Sequence, residues 1–420
     1  MNLKWDKYSD QPEVMKDKAL KKKINKATRW DSIKLFLVNI FLYPVTYVVY
    51  LLKPEAKSHI DTDTFFGMSV NLDKNPDETR ELIDDLKVTS LLIRVPLHDI
   101  ENLTSYIDFA EQFKDKEILI NIMQDRRHVE DAQLLKRSLE SIFQGFSHLT
   151  TRFQIGNAIN RKKWAIFSMD EYTKFYKVAY DLKQDKYLEL VLLGSSVIDF
   201  EYYFSISTLF NRSNIYYDQF SSLLYVDRRG APENTQMGLD LQKKIRFLYA
   251  ILWLSPKSKS EIVITETNWP ISNTAPYAPT GEKECVSLED HANYLVRYYL
   301  LALSTGVVKN VYWHQLIAPG YGLIDNRDNK LIKYPAYQAF KTMLFLLQGA
   351  VFIEINKRDG YYYLVFNKGN IKIEVHWSIT SSFEVPVKNR QVILRDGDEI
   401  MSKKVTISES PVYFISEGKV

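Results

Sequence analysis

The chain has one cysteine, Cys285, in 420 residues. With no second thiol an intrachain disulfide cannot form, which excludes a stapled scaffold and a zinc cluster built on thiolates. It also lacks an excess of either charge: 55 Lys and Arg stand against 52 Asp and Glu, for a net charge of +3. Nucleic-acid binding rests on phosphate neutralisation by a basic face, and this balance does not provide one. The seven histidines, His59, His98, His128, His148, His291, His314 and His376, show no HxH or HxxxH pairing, so no metal is expected. GxGxxG and GxxxxGK[ST] loops are missing, so no nucleotide cofactor is expected. A GxSxG nucleophile turn is missing as well. What the sequence has in quantity is aromatic: 13% of residues, with 27 Tyr and 22 Phe.

Residues 1–32 carry nine Lys and Arg, and LFLVNIFLYPVTYVVYLL follows at 35–52, 18 residues without a charge. As a helix this run would rise about 27 Å, close to the hydrocarbon thickness, behind a flank whose cations suit the cytoplasmic side. Pro44, Asn39 and Thr46 interrupt the run, while Tyr43, Tyr47 and Tyr50 suit a helix lying in the membrane interface. A span, an in-plane helix and a helix docked on the protein's own core therefore remain open. A cleaved signal fits less well, because the basic region is long and no small-x-small site follows Leu52. The expectation is association with a membrane, the bacterial inner membrane, through residues 1–63, with the side faced by the rest of the chain left open.

From 64 to 348, short apolar runs alternate with longer stretches of helical period. The strand candidates are 65–70, 90–97, 117–123, 151–156, 188–194, 221–226, 261–266 and 310–316. Near-continuous Val, Ile and Leu in such runs marks parallel strands covered on both faces. Eight βα units predict an α/β fold, a (β/α)8 barrel, with a doubly wound sheet as the competing arrangement. After Gln348 the period changes to two: YYYLVFNKGNIKIEVHW predicts a hairpin turning at 368–370, and QVILRDGDEI a second turning at Asp396 and Gly397. Residues 349–420 thus read as a small antiparallel β-domain, sandwich-like, behind an N-terminal apolar helix and a barrel.

In such a barrel, chemistry belongs at the carboxyl ends of the strands. Those ends carry Arg94 and His98-Asp99, then Gln124-Asp125-Arg126-Arg127, Asn157 to Arg161, Tyr225 with Asp227-Arg228-Arg229, Glu266 with Asn268-Trp269, and Trp313-His314-Gln315. Glu266 is the sharpest, a carboxylate closing a buried strand ahead of an aromatic turn. It reads either as a nucleophile or base, or as a carboxylate satisfied by a neighbouring arginine.

QIGNAIN (154–160) and VITETNWP (263–270) resemble the strand-four and strand-seven motifs of clan A, the large group of retaining glycoside hydrolases on (β/α)8 barrels. The resemblance implies that Glu266 matches the nucleophile and that Asn157 matches the asparagine binding the sugar 2-hydroxyl. Arg94 is similar to the strand-two arginine, and Trp313 to the strand-eight tryptophan flooring the sugar. Residues 411–415, PVYFI, close a region that resembles the accessory β-domain of several such families. One position departs from the pattern: Ala158 stands where the clan has its acid/base glutamate. Retaining hydrolysis uses two carboxyls about 5 Å apart, one attacking and one protonating the leaving oxygen.

Three explanations of Ala158 stay open: an introduced substitution, a chain that binds glycan without cleaving it, or a proton supplied elsewhere, with His314, Asp99, Asp125 and Asp227 as candidates. His314 reads equally as a core residue bonded to a neighbouring strand end. Arg94, Arg126, Arg127, Arg161, Arg228 and Arg229 cluster at the strand ends, and guanidinium pairs bidentately with carboxylate, which points to an anionic glycan. Salt bridges to Asp125, Asp227 and Glu233 are the competing use of these arginines. The expected partner is a glycan of lipopolysaccharide type, such as an acid-sugar ketoside, with Glu266 and His314 catalytic. Arg94, Asn157, Ala158, Arg126, Tyr225, Trp269 and Trp313 would bind it, the tryptophans and Tyr225 by stacking. The alternative is a non-catalytic barrel that binds glycan or scaffolds a partner; no particular protein partner is indicated.

Overall fold

The computed structural model describes residues 4–6, 8–52, 60–227 and 230–417. Eight parallel strands close into a barrel: β1 (Phe66–Val70), β2 (Ser90–Pro96), β3 (Glu117–Met123), β4 (Arg152–Ile155), β5 (Val191–Ile198), β6 (Gln219–Leu223), β7 (Ile262–Thr267) and β8 (Val308–Trp313). Each pairs with its neighbours in chain order, and β8 returns to β1. The (β/α)8 expectation therefore holds and the doubly wound sheet does not. Several boundaries move, by up to four residues. β5 starts at Val191 rather than 188, because a turn from Leu190 N–H to Tyr187 O uses up the preceding residues. β6 ends at Leu223, since Leu224 O is taken by the Tyr298 hydroxyl at 2.5 Å.

Helices between the strands begin where a side chain can satisfy the free N–H groups of the first turn. Asp131, Ser168, Asp240 and Ser287 cap Ala132–Phe146, Met169–Lys186, Leu241–Leu254 and Leu288–Leu303 in this way. Inside the barrel, Leu92, Leu119, Leu193, Val263 and Tyr312 form an apolar layer. A polar layer lies among the strands: Arg152 donates to Gln219 Oε1 at 3.0 Å and to Asn310 Oδ1 at 2.9 Å, and also pairs with Glu117.

The apolar N-terminal run is helical over Arg29–Leu52 and follows a basic helix, Lys18–Ala27. One face of the longer helix packs on the barrel's outer helices: Leu35, Val38, Leu42, Tyr43 and Tyr50 join the core, and Tyr43 lies 5.1 Å from Phe247. Its other face, with Phe36, Leu37, Ile40, Phe41, Val48 and Leu52, is at least half exposed. By length and composition this is the one described helix apolar enough to cross a membrane. Docked lengthwise on the barrel, it instead presents an apolar stripe outward.

C-terminal to the barrel are β9 (Val351–Arg358), β10 (Tyr361–Lys368), β11 (Ile371–Ser378), β12 (Phe383–Pro386), β13 (Gln391–Leu394), β14 (Lys404–Ile407) and β15 (Val412–Glu417). β9-β10-β11-β15-β13 form one antiparallel sheet and β12-β14 a second. The hairpin at 368–370 is present. The second is not a hairpin of two strands: β13 turns at 395–397 but ladders with β15, and its return makes only a bridge from Ile393 to Glu399. One face of the larger sheet, including Tyr362, Phe366 and Trp377, merges with the barrel core; the other packs Val392 and Phe414 against Val405 and Ile407.

Candidate active site

Glu266 reaches the barrel mouth through an irregularity in β7. Val311 lies opposite Ile264 but Trp313 opposite Thr267, so β7 holds one extra residue there. Such a bulge reverses the in-out alternation, and Glu266 faces the mouth although Val263 already faces inward. Its Oε2 accepts from Arg94 Nη2 at 2.9 Å and from Asn157 Nδ2 at 3.4 Å, and its Oε1 accepts from the Tyr225 hydroxyl. Burial alone would raise this carboxyl. The charge of Arg94 and the bonds from Tyr225 and Asn157 outweigh it and hold Glu266 below the ordinary glutamate range. Burial and Arg94 push His314 down to about 3, so its imidazole is neutral at physiological pH and Arg94 is the cation beside Glu266.

Asn157 is held from behind. Asn121 Nδ2 and Gln154 Nε2 donate to its Oδ1, both at 3.2 Å, which fixes the amide so that Nδ2 points to Glu266. Gln124 clamps its backbone, accepting from Asn157 N at 2.8 Å and donating to Asn157 O at 2.7 Å. The turn requires Gly156 at φ +88°, where a side chain would meet Ile159 and Tyr172 at 3.3 Å.

Of the residues expected from sequence, Arg94, Asn157, Tyr225, Glu266 and His314 come together. Ala158 is also close, fully buried among Met123, Trp164, Leu223 and Tyr225, with φ +46°. The tryptophans correct the stacking expectation. Trp269 and Trp313 are both 0% exposed and stack on each other at 5.8 Å, with Trp269 against Tyr298 of the adjoining helix. Strand alternation explains this: Tyr312 and His314 face inward, so Trp313 faces out. Tyr225 contributes its hydroxyl to Glu266.

The arginine expectation also changes. Arg126 binds both oxygens of Glu171, at 2.8 and 2.9 Å, and Glu130 at 2.8 Å, so its charge is spent within the protein. Arg161 pairs with Asp199 and Glu201, each at 2.7 Å. The acids that neutralise them differ from those expected, and Glu233 instead pairs with Arg297. Arg127 is exposed, and Arg228 and Arg229 lie outside the described residues. Of the relocated-acid candidates only His314 lines the cavity beside Glu266. Asp99 accepts from Tyr106 and Asn102, and Asp125 from His128.

Sequence reasoning missed Asp10, Asn71 and Tyr321. Asp10 sits in a short N-terminal hairpin that crosses the mouth, and its Oδ2 accepts from Arg94 Nη1 at 3.0 Å and from Asn71 and Gln315, each at 3.2 Å. Only the Ser-Asp-Gln-Pro turn signal marked this segment. The remaining cavity is about 160 Å3. Around the mouth, the buried oxygens Asn71 Oδ1, Asn268 Oδ1 and Gln315 Oε1 have no partner among the described residues.

No protein-family model and no curated protein sequence matches the chain. Solved structures do. A family 39 glycoside hydrolase from Bacteroides cellulosilyticus WH2 superposes with a TM-score of 0.65 at 14% identity, covering 85% of this chain and 82% of that one. A family 39 β-xylosidase from Caulobacter crescentus gives a TM-score of 0.60 at 11% identity, over 87% and 98%. A family 51 arabinofuranosidase from Xanthomonas axonopodis pv. citri gives 0.57 at 12%, over 86% and 97%. At these identities the shared property is the fold, and the chain has the closed eight-stranded barrel fold that these structures share with it.

Proposed function

We propose that the chain is a membrane-surface glycoside hydrolase-like protein in which Glu266 is the nucleophile toward an envelope glycan, acidic and of lipopolysaccharide type. The observation that carries this reading is the cradle of Glu266. A carboxylate at a barrel mouth, held ionised by Arg94, Asn157 and Tyr225, is prepared to attack an anomeric carbon. In that step the new bond forms between a Glu266 oxygen and the anomeric carbon while the glycosidic C–O bond breaks, its electron pair going to the leaving oxygen. Water then releases the sugar.

The membrane part of the proposal is supported by the outward apolar stripe of Arg29–Leu52 beside the basic helix Lys18–Ala27, whose lysines suit anionic headgroups. With the helix lying along the barrel, an in-plane attachment fits better than a span.

A second reading, a barrel that binds glycan without cleaving it, is favoured by the proton donors. Ala158 offers none, and neutral His314 has no proton of suitable acidity to give. Loss of general acid catalysis costs about 10²–10⁴-fold, which an acid-labile linkage or a good leaving group offsets. Dinitrophenyl glycosides separate the two readings. The enzyme releases dinitrophenol and Glu266→Gln abolishes the release; a binder releases none although it retains the sugar.

A further inference from the structure

The described residues of the N-terminal hairpin are held at the mouth from several sides. Trp5–Asp6 pairs with Gln11–Pro12. The Asp6 carboxylate closes the turn by accepting from Tyr8 N–H at 3.0 Å and Ser9 Oγ at 2.5 Å. Trp5 packs edge-on against Trp164 at 5.6 Å and beside His98 at 5.9 Å, Tyr8 against Tyr277 at 5.4 Å, and Lys163 donates to Gln11 Oε1 at 2.6 Å. Asp10, at φ +50°, is the tip that enters the site.

Three donors from three strand ends converge on one oxygen of Asp10: Arg94 after the middle of β2, Asn71 just past β1, and Gln315 just past β8. Two of them keep their place without Asp10, Arg94 through Glu266 and Gln315 through the Tyr321 hydroxyl at 3.1 Å. This is a ready-made carboxylate pocket, set beside the nucleophile candidate. The hairpin also leaves only about 160 Å3, about half the lower end of the usual range for ligand sites, roughly 300 Å3. The docked hairpin narrows the space beside Glu266, and a further cavity of about 330 Å3 lined by Trp5, Pro12, Lys163 and Trp164 adjoins it. Burial works against the Asp10 carboxyl and raises it above the ordinary aspartate range despite Arg94. Asp10 as a replacement proton donor fits this geometry less well, since its Oδ2 accepts three N–H bonds.

We infer that the hairpin is a built-in plug whose Asp10 occupies a subsite for a sugar carboxylate, so that an acidic sugar and the hairpin compete for Arg94, Asn71 and Gln315. This rests on the reading of the mouth as a site for an acidic glycan and assigns the subsite that takes its carboxylate.

The test uses the full chain in detergent and titrates sodium glucuronate, with glucose as the neutral control, by calorimetry. Asp10→Ala should bind glucuronate at least tenfold more tightly than the unaltered chain and more tightly than it binds glucose. Trp5→Ala, which loosens the hairpin and removes no donor, should shift affinity in the same direction. Amide exchange over residues 8–13 should quicken in both variants. Faster exchange without tighter glucuronate binding would overturn the inference, and so would a loss of glycosidase activity in Asp10→Ala at unchanged affinity, which would make Asp10 the acid. Tighter glucuronate binding with no hydrolysis of any glycoside would support the plug and sink the hydrolase reading.

Discussion

Glu266 works, on this account, because three different elements supply its donors. Arg94 is the cation that keeps it charged, since His314 is neutral at physiological pH. The pH profile of its reactivity follows. The Glu266 carboxyl is depressed, so the anion persists as pH falls and is lost only below the ordinary glutamate value of about 4.3. Labelling measured between pH 4.5 and 8 should therefore be flat, with no inflection in the histidine range; an inflection near 6.5 would mean that His314 is protonated. Ala158 gives a second prediction. It is fully buried and left-handed in φ. Replacing it with Glu places a carboxyl among Met123, Trp164 and Tyr225 on strained backbone, which should cost about 1–3 kcal/mol of stability in thermal unfolding without restoring hydrolysis of poor leaving groups. Asn121→Ala probes positioning: it removes one of the two bonds that orient the Asn157 amide and should slow labelling roughly tenfold with little change in sugar affinity.

Elements were legible in the sequence wherever an apolar run is long and its neighbours are local. All eight barrel strands fall within a few residues of their Val- and Ile-rich runs, and the hairpin at 368–370 falls on its Gly369 turn. What was not legible depends on long-range geometry. The bulge that turns Glu266 inward is a register slip between β7 and β8, and the outward face of Trp313 follows from one-residue parity. The plug is two residues of ladder on each side, held by contacts with partners 61 to 305 residues away, which no local period reports. The amphipathic helix Arg29–Leu52 yields its own test, because its two faces should respond oppositely. Ile40→Glu with Phe41→Glu, on the outward face, should release the protein from anionic vesicles in flotation while leaving thermal stability within about 0.5 kcal/mol. Tyr43→Ala, on the inner face, should destabilise by about 1–3 kcal/mol and leave flotation intact.

At the scale of the whole molecule, barrel and C-terminal sheet share a core and a buried charge. Glu233 accepts from Arg297 Nε and from Trp377 Nε1, each at 2.8 Å, and Arg297 also reaches Glu409 O at 3.3 Å. Removing one member of a buried pair strands the other, at about 3–5 kcal/mol. Glu233→Ala should therefore lower the unfolding transition of the entire chain, measured by calorimetry, rather than uncouple a separate C-terminal transition. The plug and the outward helix are joined to each other through residues 13–28.

The central claim, that Glu266 is a nucleophile in a glycan site, is tested most directly by mass spectrometry of the intact protein after exposure to neutral and uronic 2,4-dinitrophenyl 2-fluoroglycosides. The account predicts one glycosyl unit added on the peptide containing Glu266, faster in Asp10→Ala than in the unaltered chain and absent in Glu266→Gln. No adduct in either the unaltered chain or Asp10→Ala, under conditions where the same sugars bind, would contradict it.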